Sequence, residues 1–232
     1  MKIKYGMILA AGLGKRMQPI TIQTPKPLIK IGNKNLLERS IELLIDHNIE
    51  EIVVNVHYLA NQIKDFIKEK KYKIKITISD EQNVLLDTGG GISQGTKPFK
   101  DKPFIVINPD TIWSKNYSVE IQKLEELYFK EKKPCILLVN KNLSFDSSFK
   151  GDFNLDANIV SRDINNQFIF TGLQVLNQDV FRFTKDKKFS MNKIWDKLIY
   201  DKNLAAIESS EKFYHLNTKE TYDKLLSLNI ID

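Results

Sequence analysis

Short apolar runs alternate with amphipathic stretches through the first half of the chain, and this alternation limits the folds open to it more than any other feature. Tyr5-Gly6-Met7-Ile8-Leu9-Ala10 reads as a buried strand that ends in a loop of small residues. Leu36, Leu37, Ile41, Leu44 and Ile45 follow helical spacing, and His47-Asn48 ends that segment. Strand-like runs recur at Ile52 to Val56, Ile74 to Ile78, Phe104 to Ile107 and Cys135 to Val139. Helical patterns fall between them, around Ile63, Phe66 and Ile67 and over residues 118 to 130. Strand and helix in alternation imply right-handed crossovers and a mainly parallel sheet between two helical layers. The expected fold is therefore a three-layer, Rossmann-like α/β sheet. Ligands of such sheets sit at the carboxyl ends of the strands, which directs attention to the loops after Ala10, Ile78 and Ile107.

The second half is less regular. Asp152 to Leu155 and Phe168 to Leu176 read as strands paired in a small antiparallel patch, and Met191 to Tyr200 and Thr218 to Leu228 as helices, with Ser190 an N-cap. No repeat or linker divides the 232 residues, so one domain over 1–232 is expected. Cys135 is the only cysteine and lies in an apolar run, a buried strand position with no disulfide partner in the chain. The first ten residues lack the ordering of a signal peptide and no apolar stretch is long enough to span a membrane, so a soluble, cytoplasmic protein is expected. The net charge of +6 comes from scattered lysines rather than a basic face. That argues against nucleic acid as a partner and suits phosphorylated small molecules.

Leu9-Ala10-Ala11-Gly12-Leu13-Gly14-Lys15-Arg16-Met17 follows the first strand directly. Small residues let consecutive backbone N–H groups surround an anion, and Arg16 adds a planar, permanently charged fork. Thr24-Pro25-Lys26-Pro27-Leu28 holds Lys26 between two prolines that restrict the backbone. A dinucleotide loop would want a third glycine where Met17 stands. A Walker loop would want Ser or Thr where Arg16 stands. A plain turn into a helix accounts for Gly12 and Gly14 but not for Arg16 and Pro25-Lys26-Pro27 together. Asn108-Pro109-Asp110-Thr111 follows the strand Phe104 to Ile107, where an aspartate is placed either to hold Mg²⁺ or to cap a turn.

Leu9 to Met17, with Pro19, Thr21 and Pro25-Lys26-Pro27-Leu28, resembles the sugar-1-phosphate nucleotidyltransferase family. The resemblance is strong to about residue 113 and implies a glycosyltransferase-A-like form of the Rossmann-like fold. It implies that Leu9, Ala10, Ala11, Gly12, Gly14, Lys15 and Asn108 line the nucleotide, with Arg16 and Lys26 neutralising its phosphates. Asp110 matches the family's metal-binding aspartate, for Mg²⁺ with Mn²⁺ as the variant. Leu86-Asp87-Thr88-Gly89-Gly90-Gly91 is similar to the loop that contacts base and sugar, which gives Gly89 and Gly90 to the nucleotide. Its Thr-Gly-Gly form resembles the branch of N-acetylmuramate-1-phosphate uridylyltransferases and mannose-1-phosphate guanylyltransferase-like proteins. Asp152, Thr171 and Gly172 match segments that line the sugar pocket, and a hairpin turn around Gly151 explains the first equally well.

One departure stands out. Where the family carries a second metal-binding aspartate, this chain has His215, and Asn217 replaces the glycine two residues on. His215 is therefore either a metal ligand or a hydrogen-bond donor to phosphate or water. His57-Tyr58, at the end of the second strand, is expected to be structural.

The implied reaction is attack by a sugar 1-phosphate on the α-phosphorus of an NTP, releasing pyrophosphate. UTP with N-acetylmuramate 1-phosphate and GTP with mannose or heptose 1-phosphate are both compatible. A phosphocholine cytidylyltransferase and a non-catalytic nucleotide-binding regulator are the alternatives. Oligomeric state is left open by the sequence.

Overall fold

The first apolar run becomes β1 (Tyr5–Leu9), and its alternating side chains divide the core. Met7 joins the cluster on one face of the sheet and Ile8 the cluster on the other, as the two-residue period of a strand requires. The structure, a computed structural model, describes residues 2–228; Met1 and residues 229–232 of the expected 1–232 domain lie outside the described residues.

After β1 come a two-residue hairpin, β2 (Lys30–Ile31) and β3 (Lys34–Asn35), then α1 (Leu36–Asp46), β4 (Glu51–Val56), α2 (Ala60–Lys70) and β5 (Lys75–Asp80). The middle of the chain forms α3 (Asp87–Gly95), β6 (Phe104–Ile107), α4 (Tyr117–Glu131) and β7 (Cys135–Asn140). The last part forms β8 (Asn154–Asp156), β9 (Ile159–Ser161), β10 (Phe168–Leu176), α5 (Met191–Tyr200), β11 (Ala205–Ser209) and α6 (Lys219–Leu226). Asn35, Ser190 and Thr218 cap α1, α5 and α6 by accepting backbone N–H bonds, each satisfying a donor the helix start leaves unpaired.

Nine strands form one sheet in the order β5-β4-β1-β6-β10-β7-β11-β9-β8. β5, β4, β1 and β6 run parallel, so their carboxyl ends share one edge. β10 enters antiparallel between β6 and β7, β11 is parallel to β7, and the β9–β8 hairpin closes that side antiparallel. Only β9 and β10 run against the rest. α1, α2 and α4 cover one face around Ile41, Ile63 and Leu124. α3 and α5 cover the other around Ile92, Ile194 and Trp195. The three-layer, mainly parallel expectation holds.

Three details differ from the sequence reading. β10 lies inside the main sheet, and the antiparallel Phe153–Phe168 bridge with the Phe170 N bond to Asp152 joins it to the segment around Asp152. Its side chains from Thr171 to Leu176 are all buried, which an edge strand could not achieve. β9 and β11 are too short and mixed to show a period in sequence. The third difference is Gly89-Gly90-Gly91, which lie in the first turns of α3 rather than in a loop. Glycine disfavours a helix by about 1 kcal/mol relative to alanine. Here packing forbids the alternative, because a Cβ on Gly89 would lie 2.5 Å from the Phe189 ring and one on Gly90 2.3 Å from the Lys187 carbonyl oxygen.

Cys135 is buried in β7 as expected, and burial with Glu131 nearby pushes its thiol up to about 12. Among the described residues no helix is long and apolar enough to cross a membrane.

Candidate active site

The carboxyl ends of β1, β4, β5 and β6 enclose a cavity of about 420 Å³. Its walls carry Gly12, Gly14, Lys15 and Arg16 from the first loop, Lys26 from the proline-flanked turn, and Asn108 and Asp110 from the loop after β6. Leu9 and Ala11 also line it, whereas Ala10 lies buried beneath.

The two glycines of the first loop have different reasons to be glycine. Gly14 sits at φ +63, and a Cβ there would lie 2.9 Å from Thr21 Cγ2. Thr21 Oγ1 donates to the Gly14 carbonyl at 2.8 Å and ties the loop to the short turn Ile20–Ile22 that precedes Lys26. Gly12 has nothing within 4 Å of an added Cβ. No protein contact requires a glycine there, and its backbone faces open cavity. Arg16 is exposed on the cavity wall with no ion-pair partner among the described residues.

Lys26 Nζ lies 2.6 Å from Asp110 Oδ2, and His215 Nε2 approaches the same oxygen at 3.2 Å. Burial raises the Asp110 carboxyl, but the Lys26 ammonium and His215 outweigh it and hold Asp110 well below the usual carboxylate range. His215 reaches this point because its segment pairs with the loop after β6. Leu216 N donates to the Asp110 carbonyl at 2.8 Å and Ile112 N to the Tyr214 carbonyl at 2.8 Å. The imidazole stacks on Phe213 and meets Phe149 edge-on. Nothing in the sequence spacing announces this pairing of residues about a hundred positions apart.

Three buried polar atoms around this centre lack hydrogen-bond partners: Asn108 Oδ1, Asp110 Oδ1 and His215 Nδ1. The first two are hard oxygen donors, the kind Mg²⁺ takes. Among the described residues no three His, Cys, Asp or Glu side chains gather to form a metal cage. A single carboxylate fits a cation that draws its other ligands from phosphates and water, as Mg²⁺ does beside nucleotides.

The other expected site residues lie apart from this cavity. Gly89 and Gly90 are buried under the 187–189 segment, while their neighbours Asp87 and Thr88 face the cavity. Thr171 is buried, donating from Oγ1 to the Leu137 carbonyl at 3.0 Å and accepting from Thr111 Oγ1 at its own carbonyl at 2.5 Å. Gly172 sits at φ +95 in the bulge of β10, with its carbonyl bound to Asn108 N at 2.8 Å. Asp152 is exposed and accepts from Phe170 N at 2.9 Å. Asn55 and Glu81, which the sequence reading passed over, also line the cavity. A polar residue inside the apolar β4 run was the available signal for Asn55.

The Nucleotidyl transferase family model matches residues 5–143. The chain belongs to this family. This nucleotidyltransferase is 28% identical to the N-acetylmuramate alpha-1-phosphate uridylyltransferase of Caulobacter vibrioides, over 92% of this chain and 91% of that protein. It is 30% identical to the D-glycero-alpha-D-manno-heptose 1-phosphate guanylyltransferase of Campylobacter jejuni, over 90% of this chain and 96% of that protein. The crystal structure of HddC from Yersinia pseudotuberculosis complexed with GMP-PN superposes with a TM-score of 0.74 at 25% identity, covering 97% of this chain and 99% of that one. The chain is an enzyme of the nucleotidyltransferase class, and its relatives act on sugar 1-phosphates.

Proposed function

We propose that this enzyme transfers a nucleoside monophosphate from an NTP to a sugar 1-phosphate and releases pyrophosphate. The observation that carries this reading is the presence of Arg16, Lys26 and Asp110 on the walls of one cavity beside the open backbone of Gly12. Cations of fixed position, loop N–H groups and a carboxylate are what a triphosphate needs for binding and for charge relief at its α-phosphorus.

The acceptor's phosphate oxygen is ionised near neutral pH, so the attack needs no general base. Arg16 and Lys26 would take up charge on the α-phosphate and the leaving pyrophosphate. The Gly12 to Lys15 backbone would hold the phosphates in line. Asp110, whose Oδ1 has no other partner among the described residues, would hold a divalent cation, which would supply Lewis-acid relief of the phosphate charge. His215, at 3.2 Å from Asp110 Oδ2, would orient the carboxylate rather than bind the cation itself. The reading places the enzyme in nucleotide-sugar biosynthesis, with UTP or GTP as donor. UTP with N-acetylmuramate 1-phosphate is the pair to try first, followed by GTP with heptose or mannose 1-phosphate.

The test is pyrophosphate release with each of the four NTPs and Mg²⁺ or Mn²⁺, against a panel of sugar 1-phosphates and phosphocholine. Turnover with one sugar 1-phosphate, abolished in Asp110→Ala, is the expected result. Turnover with phosphocholine and CTP alone would replace the acceptor. NTP binding with no turnover in any combination would overturn the catalytic reading.

A further inference from the structure

Asn55 and Glu81 are each 3% exposed, yet neither belongs to the charge cluster around Asp110. They line the cavity between the loop after β1 and the loop after β5. Parallel register aligns Leu9, Asn55 and Ser79 across β1, β4 and β5. The Asn55 side chain can therefore reach the residue after β1 on one side and the residue after β5 on the other. Ala10 N donates to Asn55 Oδ1 at 2.8 Å. Asn55 Nδ2 donates to Glu81 Oε1 at 2.7 Å. Leu86 N donates to Glu81 Oε2 at 3.0 Å. His57, otherwise without a role, fixes the Glu81 turn by its Nδ1, 2.7 Å from the Glu81 carbonyl oxygen.

The chemistry of each member is dictated by the ends. Both ends are backbone N–H groups, so the relay must present an acceptor to Ala10 and an acceptor to Leu86. An amide followed by a carboxylate does so with every polar atom used. Glu81 has no cationic partner among the described residues, and a buried carboxylate held only by neutral donors is costly to keep. Gly91 completes the fit, since a Cβ there would lie 2.8 Å from both Asn55 Nδ2 and Glu81 Oε1.

We propose that Asn55 is a positioning residue which, through Glu81, fixes the spacing between the phosphate loop that begins at Ala10 and the loop at Leu86 on the opposite wall. Gly12 to Arg16 follow one end of the relay, and Leu85, Asp87 and Thr88 flank the other. A nucleotide bridging the two walls is gripped only when their separation is right. The inference rests on the NTP reading above. Contacts from both walls count toward affinity only when they can form at once, so the relay acts on nucleotide affinity through the positions of the two loops.

The test is a charge-conserving exchange. Asn55→Asp leaves two carboxylates facing each other, and Glu81→Gln sets an amide N–H₂ against a donor. Together, Asn55→Asp with Glu81→Gln restores every bond with the middle one reversed. The carboxylate introduced at position 55 accepts from Ala10 N and from the introduced amide, whose own oxygen accepts from Leu86 N. Calorimetry gives Kd for each NTP, pyrophosphate release gives KM and kcat, and thermal melts give folding. Each single change is expected to raise Kd and KM for the NTP about tenfold or more with a smaller change in kcat. The double variant is expected to return to within about threefold of the parent. Asn55→Ser, which shortens the relay and introduces no charge, serves if a single variant does not fold, with an intermediate rise in Kd. A double variant no better than its worse parent, or singles with unchanged Kd, would overturn the relay. So would a changed order of preference among the four NTPs in Glu81→Gln that persists in the double, since that marks a direct contact with the base. A parent enzyme that binds NTP without turnover removes the catalytic reading alone, because the Kd series still tests the relay.

Discussion

Lys26 Nζ and Asp110 Oδ2 lie 2.6 Å apart although 84 residues separate them in the chain. Each is the other's counter-ion in a cavity that Lys15, Arg16, Glu81 and Asp87 also line, and on the proposed reading Lys26 serves the phosphates while the free Asp110 Oδ1 serves the cation. Loss of either partner therefore damages the same step. Lys26→Met is expected to lower kcat by about 10² to 10³, the usual loss when one preorganised donor to a developing anion is removed. Lys26→Met combined with Asp110→Ala should fall well short of the product of the two losses. Steady-state kinetics of the four proteins checks this, and a fully multiplicative double variant would show that the pair acts as two independent groups.

The same pair sets a dependence of stability on pH. Asp110 is raised by burial but lowered further by Lys26 and His215, so its folded pKa lies below its unfolded one. A carboxyl depressed in this way contributes stability that is complete above its unfolded pKa, about 3.9. That contribution is lost as pH falls toward the folded value. Urea unfolding of the parent and Asp110→Asn should show the widest gap near pH 7. The two curves should converge below about pH 4, and a gap that stays constant down to pH 3 would mean the pair adds nothing to folding.

The β1–β6 half was legible in sequence because its strands are continuous apolar runs and its helices carry a clear stripe; Ile8, Ile41 and Leu124 fall where their periods put them. The first loop was legible because Gly12, Arg16 and Lys26, which line one cavity, lie close together in the sequence. What was hidden depends on contacts between distant segments. The 187–189 segment leaves no room for a Cβ on Gly89 or Gly90, a reason for glycine that sequence alone does not show. Asn55 reads as one polar residue in a strand until register sets it between Ala10 and Glu81. β10 carries a strand pattern, but its insertion between β6 and β7 follows from the sheet as a whole.

Gly12 and Gly91 separate ligand space from protein packing. Alanine at an unstrained glycine usually stabilises by about 0.4 to 1 kcal/mol. Gly12→Ala, with nothing within 4 Å of the new methyl, should leave the melting temperature unchanged or slightly raised while NTP affinity falls at least tenfold. Gly91→Ala, in a helix where propensity alone would favour alanine, should instead destabilise by about 1 to 3 kcal/mol because the methyl overpacks Asn55 and Glu81. Thermal melts with nucleotide titrations measure both. A stabilised Gly91→Ala would show that the buried relay yields easily.

His215 is held by its main chain more than by its ring. The Asp110–Leu216 and Ile112–Tyr214 backbone bonds survive any side chain at 215, so substitutions there probe the imidazole alone. With Nε2 turned to Asp110 Oδ2 at 3.2 Å and the ring packed against Phe213 and Phe149, on the proposed reading its effect on the reaction would pass through the aspartate. Partners that orient a metal-binding group typically contribute 10- to 100-fold in metal affinity or activity. His215→Ala should weaken Mg²⁺ and Mn²⁺ activation equally and by about that factor, and His215→Gln, which keeps an N–H donor, should lose less. A direct imidazole ligand would favour Mn²⁺ over Mg²⁺, so metal titrations in which His215→Ala loses Mn²⁺ activation selectively would make His215 a ligand instead.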